Sequence, residues 1–182
     1  MKFVLLNRNA MKKINIILKV ISIALIITGL KSCANTKPNV DLNKEMKKTN
    51  SALSNNTLDA FYRKYIAAAN ARDFSTIATL INDNVMINGI QLKKEDAIAG
   101  IKWLTDVVPN YKWDIEDLFI DGERIAVRLR DTGTPAKTFF GNEPTGSSVD
   151  ITEFASYKVH DGKFVEMWYL IDAEKIKAQL TK

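Results

Sequence analysis

Glu153 is the residue of this 182-residue chain best placed to do chemistry. It alternates with Ile151, Ala155, Tyr157 and Val159, and it is the only acid in that row. A strand sends alternate side chains to opposite faces, so the row sets one carboxyl among apolar and phenolic groups. Apolar burial raises a carboxyl's proton affinity and lets it take and return a proton near neutral pH. On that reading Glu153 is a catalytic or ligand-binding carboxylate; on the other it stands near a strand start and meets solvent. Asp172 follows the last strand pattern and precedes a short helical one. It is either a second acid/base candidate or an N-cap, worth about 1 kcal/mol to its helix. Tyr65, Trp103, Tyr157, Met167 and Tyr169 either ring an apolar cavity with a few polar tips or fill the same space as core. If the domain is an enzyme, Tyr157 or Tyr169 serves as hydrogen-bond donor beside the acid.

The remaining chemistry-bearing residues are few. His160 is the single histidine and sits in a turn before Asp161-Gly162, where it is solvated. With one histidine and one cysteine the sequence offers no zinc cluster, no Gly-rich phosphate loop and no Gly-x-Ser-x-Gly elbow. No metal and no cofactor is expected. Arg128 and Arg130 share the parity opposite Val127 and Leu129, which points them to solvent, a partner subunit or an anion. Trp168 also has the outward parity and reads as a dimer contact.

The lone cysteine, Cys33, ends a leader of recognisable design. Lys12 and Lys13 give a positive start, and residues 20–30 form an apolar run interrupted by Ser22, Thr28 and Gly29. Those are the parts of a secretory signal, and the run is shorter than the roughly 20 residues that cross a bilayer. The arrangement resembles the lipobox of bacterial lipoproteins, in which the cysteine is lipidated and becomes the mature N-terminus. An uncleaved anchor with an incidental cysteine is the competing reading, and translation starts at Met1 or at Met11. The lipoprotein reading assigns 1–32 to a signal peptide and places the protein in the bacterial cell envelope, attached to a membrane through Cys33.

Residues 1–32 also carry the chain's basic excess. They contain Lys2, Arg8, Lys12, Lys13, Lys19 and Lys31 and no acid, so the remainder has 20 basic residues against 21 acids. That near-neutral balance, without a basic stripe, argues against nucleic-acid binding. Residues 33–57 are rich in Asn, Lys, Ser and Thr and read as a flexible tether, too polar to offset the entropy of ordering. Residues 58–182 read as one domain.

Within it, Leu58, Phe61, Tyr62, Tyr65, Ile66 and Ala69 fall at helical spacing, with Asn56 or Thr57 as cap. Residues 74–81 read as a second helix, 85–90 as a brief strand and 93–108 as a third helix stopped by Pro109. The period then changes to two. Alternating runs flank Asp121-Gly122 and again Asp161-Gly162, the signature of two hairpins. The inward set is Ile125, Val127 and Leu129 in the first, then Val165, Met167, Tyr169 and Ile171 after the second turn. Residues 174–180 close the chain as a short helix. Helices followed by an antiparallel meander predict an α+β domain, with a curved sheet wrapped around its N-terminal helices. Such a sheet encloses a cavity suited to a small ligand.

Phe61-Tyr62, Asn70-Ala71-Arg72-Asp73-Phe74 and Lys94-Glu95-Asp96-Ala97-Ile98 are joined by Ile125-Ala126-Val127-Arg128, Thr132-Gly133-Thr134 and Pro144-Thr145-Gly146. Asp161-Gly162-Lys163, Val165-Glu166-Met167-Trp168, Asp172 and Leu180 complete the order. Together these resemble the SnoaL-like group of polyketide and ester cyclases, within the nuclear-transport-factor-like superfamily. The resemblance implies a cone-shaped α+β barrel, commonly a homodimer through the outer face of its sheet, with Glu153, Tyr157 and Tyr169 turned inward. It also implies aldol ring closure by an aspartate on the last long strand, helped by a histidine on its neighbour. Those two positions fall on Tyr169 and Ala155. Neither replaces the original group, since a phenol of pKa about 10 is a poor base at neutrality. The expectation is therefore a lipid-anchored module that binds a small, mostly apolar molecule. The alternatives are a cyclase- or isomerase-like enzyme with a relocated carboxylate and a dimeric interaction module.

Overall fold

The computed structural model describes residues 42–181, with side chains from 55 onward. The expected signal peptide, Cys33 and residues 34–41 of the expected tether lie outside them. The first described helix, α1, spans Leu42–Ala71. Its start corrects two expectations: residues 42–57 are helical instead of a tether, and Asn56 and Thr57 lie inside the helix instead of capping it. Nothing in that stretch opposes a helix, because 42–71 contains neither Gly nor Pro and includes Leu, Lys, Glu, Met and Ala. Among the described residues no helix is long and apolar enough to cross a membrane.

The compact unit Ser51–Lys182 carries the sheet. After α1 come α2 (Phe74–Leu80), β1 (Ile81–Ile87), β2 (Ile90–Lys93), α3 (Lys94–Val107), β3 (Lys112–Asp121), β4 (Arg124–Gly133), β5 (Val149–His160), β6 (Lys163–Ile171) and α4 (Ala173–Leu180). The six strands form one sheet in the order β2-β1-β6-β5-β4-β3. The meander from β3 to β6 is antiparallel, while β1 joins β6 in parallel. Where one brief strand is expected at 85–90, β1 and β2 form a hairpin. Its turn is Asn88-Gly89, both at positive φ, the combination a two-residue type I′ loop requires.

The two Asp-Gly turns differ. Asp161 and Gly162 both take positive φ and sit between the paired His160 and Lys163. In the β3–β4 hairpin only Gly122 does, and the pair Asp121–Arg124 leaves Gly122-Glu123 as the loop. That is the Gly-first pattern of a type II′ turn. Two bulges then shift parity. One, between Ile115 and Asp117, explains why Trp113 and Ile115 precede Leu118 and Ile120 in the half-buried set. The other, between Lys158 and Val159, turns Phe164 into the core, fully buried, where Val165 was expected. α1 lies on the inner face of β5 and β6: Tyr62 and Tyr65 meet Tyr157, and Phe61 and Tyr65 meet Phe164 edge-on at 4.8 and 4.9 Å. Such ring pairs each add about 0.5–1.5 kcal/mol beyond their area.

Candidate functional site

Along β4 the inward row Ile125, Val127 and Leu129 continues to Asp131, a carboxylate with no exposed surface. On β5 the matching row contains Glu153, 5% exposed. Leu129 pairs with Glu153 and Asp131 with Ile151, so the two acids are diagonal neighbours on one face of the sheet. Diagonal neighbours are within reach of each other when a side chain is long, and each of the two carboxyls shifts the protonation of the other. Two carboxyls buried side by side do not both ionise readily, so one tends to keep a proton. Burial raises the proton affinity of both. Asp131 rises to about 6, held back by hydrogen bonds from Glu153 and Tyr111. Glu153 is raised well above its usual range, by burial first and then by the charge of Asp131. Glu153 therefore holds the proton, and Asp131 carries the charge.

A third group completes the cluster. The Tyr111 hydroxyl donates to Asp131 Oδ2 at 2.9 Å, while Asp131 Oδ1 is buried with no N–H or hydroxyl donor. Tyr111 is held from two sides. Asn70, at the end of α1, donates to the Trp113 carbonyl at 2.8 Å and accepts from its N–H at 2.9 Å, as a neighbouring strand would. Arg72, at positive φ, donates to the carbonyls of Pro109 and Tyr111 at 2.9 and 2.7 Å. Gly133 closes the other side: a Cβ there would lie 2.5 Å from Val108 Cγ1 and 3.1 Å from Tyr111 Cα. Only glycine lets the segment before β3 approach β4 this closely.

Beside the acids stands a group of phenols. Tyr157 meets Tyr62 at 5.2 Å, Phe164 at 5.1 Å and Tyr169 at 6.3 Å between ring centroids. Tyr62 donates to the Tyr157 hydroxyl over a long 3.4 Å, and Tyr169 to Met167 Sδ at 3.7 Å. Burial, then neighbouring phenols and Glu153, keep Tyr157 and Tyr169 neutral. The structure thus brings together Glu153, Tyr65, Tyr157, Met167 and Tyr169. It does not add Trp103, whose ring neighbour is Phe139, 6.5 Å away. Asp172 is exposed and accepts from Lys175 N at 3.0 Å. It is the N-cap of α4 and is remote from acid/base work in that role.

The other polar candidates are surface pairs. Arg128 bonds Asp117 and Glu116, Arg130 bonds Asp150, and His160 meets Glu123 at 2.8 Å, which favours its protonated form. Among the described residues no group of three or more metal-binding side chains occurs. Ala155 and Tyr169, where the resemblance places its histidine and aspartate, are direct partners across β5 and β6. Asp131 and Tyr111 were not among the expected residues. The signal for Asp131 was present, as the next inward step after Leu129; Tyr111 reaches the site only through contacts distant in sequence.

The comparisons agree with this fold. Residues 59–180 match the family model for SnoaL-like polyketide cyclases. No curated protein matches the chain. Among solved structures, a SnoaL-like polyketide cyclase from Agrobacterium tumefaciens aligns with TM-score 0.64 and 26% identity, covering 68% of this chain and 97% of the other. IdmH from Streptomyces antibioticus gives 0.63 and 24%, covering 68% and 98%. TsrD from Streptomyces laurentii gives 0.62 and 18%, covering 68% and 93%. The last two carry the fold alone. With residues 59–180, well over half of its length, matched by that model, the chain belongs to the SnoaL-like polyketide cyclase family.

Proposed function

We propose that this domain binds a small, mostly apolar molecule against the phenol-lined inner face of its sheet, and that lipidated Cys33 attaches it to a membrane of the bacterial cell envelope. The observation that carries the binding reading is the gathering of Tyr65, Tyr157, Met167 and Tyr169 into one group, at a place where Ala155 and Tyr169 stand opposite each other in the positions of the expected histidine and aspartate. Aromatic surface with a few polar tips suits an apolar ligand that needs orientation. A broad metabolite panel read by thermal shift tests it. A ligand present at 100 times its Kd adds about 2.7 kcal/mol to stability, a rise of several degrees for a domain of this size. A flat response across the panel would sink the reading. For the anchor, Cys33→Ser is expected to release the protein from the membrane fraction; retention there would refute lipidation.

A second reading is favoured by one observation, the buried carboxyl pair. Glu153 as acid and Asp131 as base would shift a proton on a bound substrate, a cyclase- or isomerase-like task that leaves Asp172 out. Full turnover of an identified substrate by both Glu153→Gln and Asp131→Asn would eliminate it. The outer sheet face is assigned to a homodimer contact.

A further inference from the structure

Two charged groups are buried among the described residues, and both are acids: Asp131 and Glu153. The arginines of β4 are spent on the opposite face, Arg124 on Glu166, Arg128 on Glu116 and Asp117 and Arg130 on Asp150. A proton on Glu153 neutralises one of the two carboxyls and leaves the other. Tyr111 supplies one hydrogen bond to Asp131 Oδ2, and Oδ1 is buried without a donor. Tyr62, Tyr65, Tyr157 and Tyr169 pack in tilted and edge contacts beside the pair. Aromatic faces carry partial negative charge, so they repel an anion and attract a cation. A buried carboxylate without a counter-ion is strongly unfavourable. What this face lacks is one positive charge on an apolar body. A hard metal ion does not answer the need, because it takes six or more oxygens and no group of three metal-binding side chains is present among the described residues.

We propose that the ligand is an organic ammonium ion, with its charged head against Asp131 and Glu153 and its apolar body against Tyr62, Tyr65, Tyr157 and Tyr169. The proposal rests on the small-molecule reading above and names its ligand class. Binding places a fixed positive charge beside the acids, and the proton held between them leaves for solvent.

The test uses the full chain in a non-ionic detergent and a panel of quaternary ammonium ions, from choline to benzyltrimethylammonium. Each is set against its uncharged carbon isostere, such as 3,3-dimethylbutan-1-ol for choline. Calorimetry in buffers of different ionisation enthalpy reads affinity and proton release together. A quaternary ammonium has no proton to give, so any proton released comes from the protein. The expected result is at least about tenfold tighter binding of the charged members, the scale of a desolvated cation–π contact, with a proton released. Affinity is expected to rise from pH 5 to pH 8. Of the groups facing the pair, Tyr62 and Tyr65 of α1, Tyr111 before β3, Tyr157 of β5 and Tyr169 of β6 all have raised proton affinity and stay neutral over that range. Asp114 of β3 adds a like charge. Asp131→Asn and Glu153→Gln, nearly isosteric, are expected to abolish the preference for charge while melting cooperatively. Equal binding of charged and uncharged members overturns the ammonium proposal and leaves the small-molecule reading standing. A preference that survives both substitutions overturns the assigned site. Binding by no member overturns the ammonium class, and the metabolite panel then decides the broader reading separately.

Discussion

Glu153 and Asp131 tie the stability of this fold to pH in an unusual direction. Most native carboxyls lose proton affinity on folding; here Asp131 rises from 3.8 to about 6, through burial first, and Glu153 rises also. The native chain holds protons that the unfolded chain has released, so the stability these acids provide is full below pH 4 and is lost as pH climbs through about 6. Asp131→Asn removes the penalty and keeps an acceptor for Tyr111. Relative to wild type it is expected to gain on the order of 2–3 kcal/mol between pH 4.5 and pH 7.5. Urea denaturation at those two pH values measures the difference. A variant whose stability runs parallel to wild type across the range would show that folding does not raise the proton affinity of Asp131.

Each element that carries the pair is set by a different kind of information. Gly133→Ala places a Cβ 2.5 Å from Val108 Cγ1 and 3.1 Å from Tyr111 Cα, and the second neighbour is backbone that cannot swing aside. Overpacking of this kind costs about 1–3 kcal/mol, and it is expected to lengthen the Tyr111 bond to Asp131. Chemical denaturation measures the first effect and a tyrosine hydroxyl shift by NMR the second. Unchanged stability would mean that the segment before β3 can move outward freely. The same elements show what a sequence discloses. Alternation along β5 placed Glu153, Ala155 and Tyr157 correctly, because strand parity is local. Asp131 obeys the same parity, yet an acid after Leu129 reads as the end of a run until Tyr111 is seen to cover it. Tyr111 in turn depends on Asn70 bonding across 43 residues, and no periodicity encodes such a contact. Phe164 was hidden for another reason, since the bulge after Lys158 breaks the two-residue count. The Asn88-Gly89 turn was legible by its residue types, but the short β2 beyond it gave too few alternations to mark a second strand.

On the scale of the molecule, the outer sheet face carries Phe119, Phe154, Trp168 and Leu170, exposed by 68, 56, 43 and 57%. Phe154 pairs with Leu170 on β6, and Ala126 with Phe119 on β3, so the exposed rings and methyls are spread across neighbouring strands. Large apolar groups set among paired charges on one exposed sheet face suit association with a second copy. Phe154→Lys is expected to shift sedimentation from dimer to monomer with less than about 0.5 kcal/mol change in monomer stability, as for exposed sites generally. A wild-type chain that sediments as a monomer would refute the contact. The parallel seam between β1 and β6 bears on a different matter, the order of assembly. Asn88 is joined to Tyr169 across 81 residues, and closing so long a loop costs entropy before any contact repays it. The helices and the first hairpin leave the ribosome with no last strand to dock on. A chain that cannot complete its sheet until the C-terminal strand is synthesised stays loose until then, a delay that suits the export proposed for it.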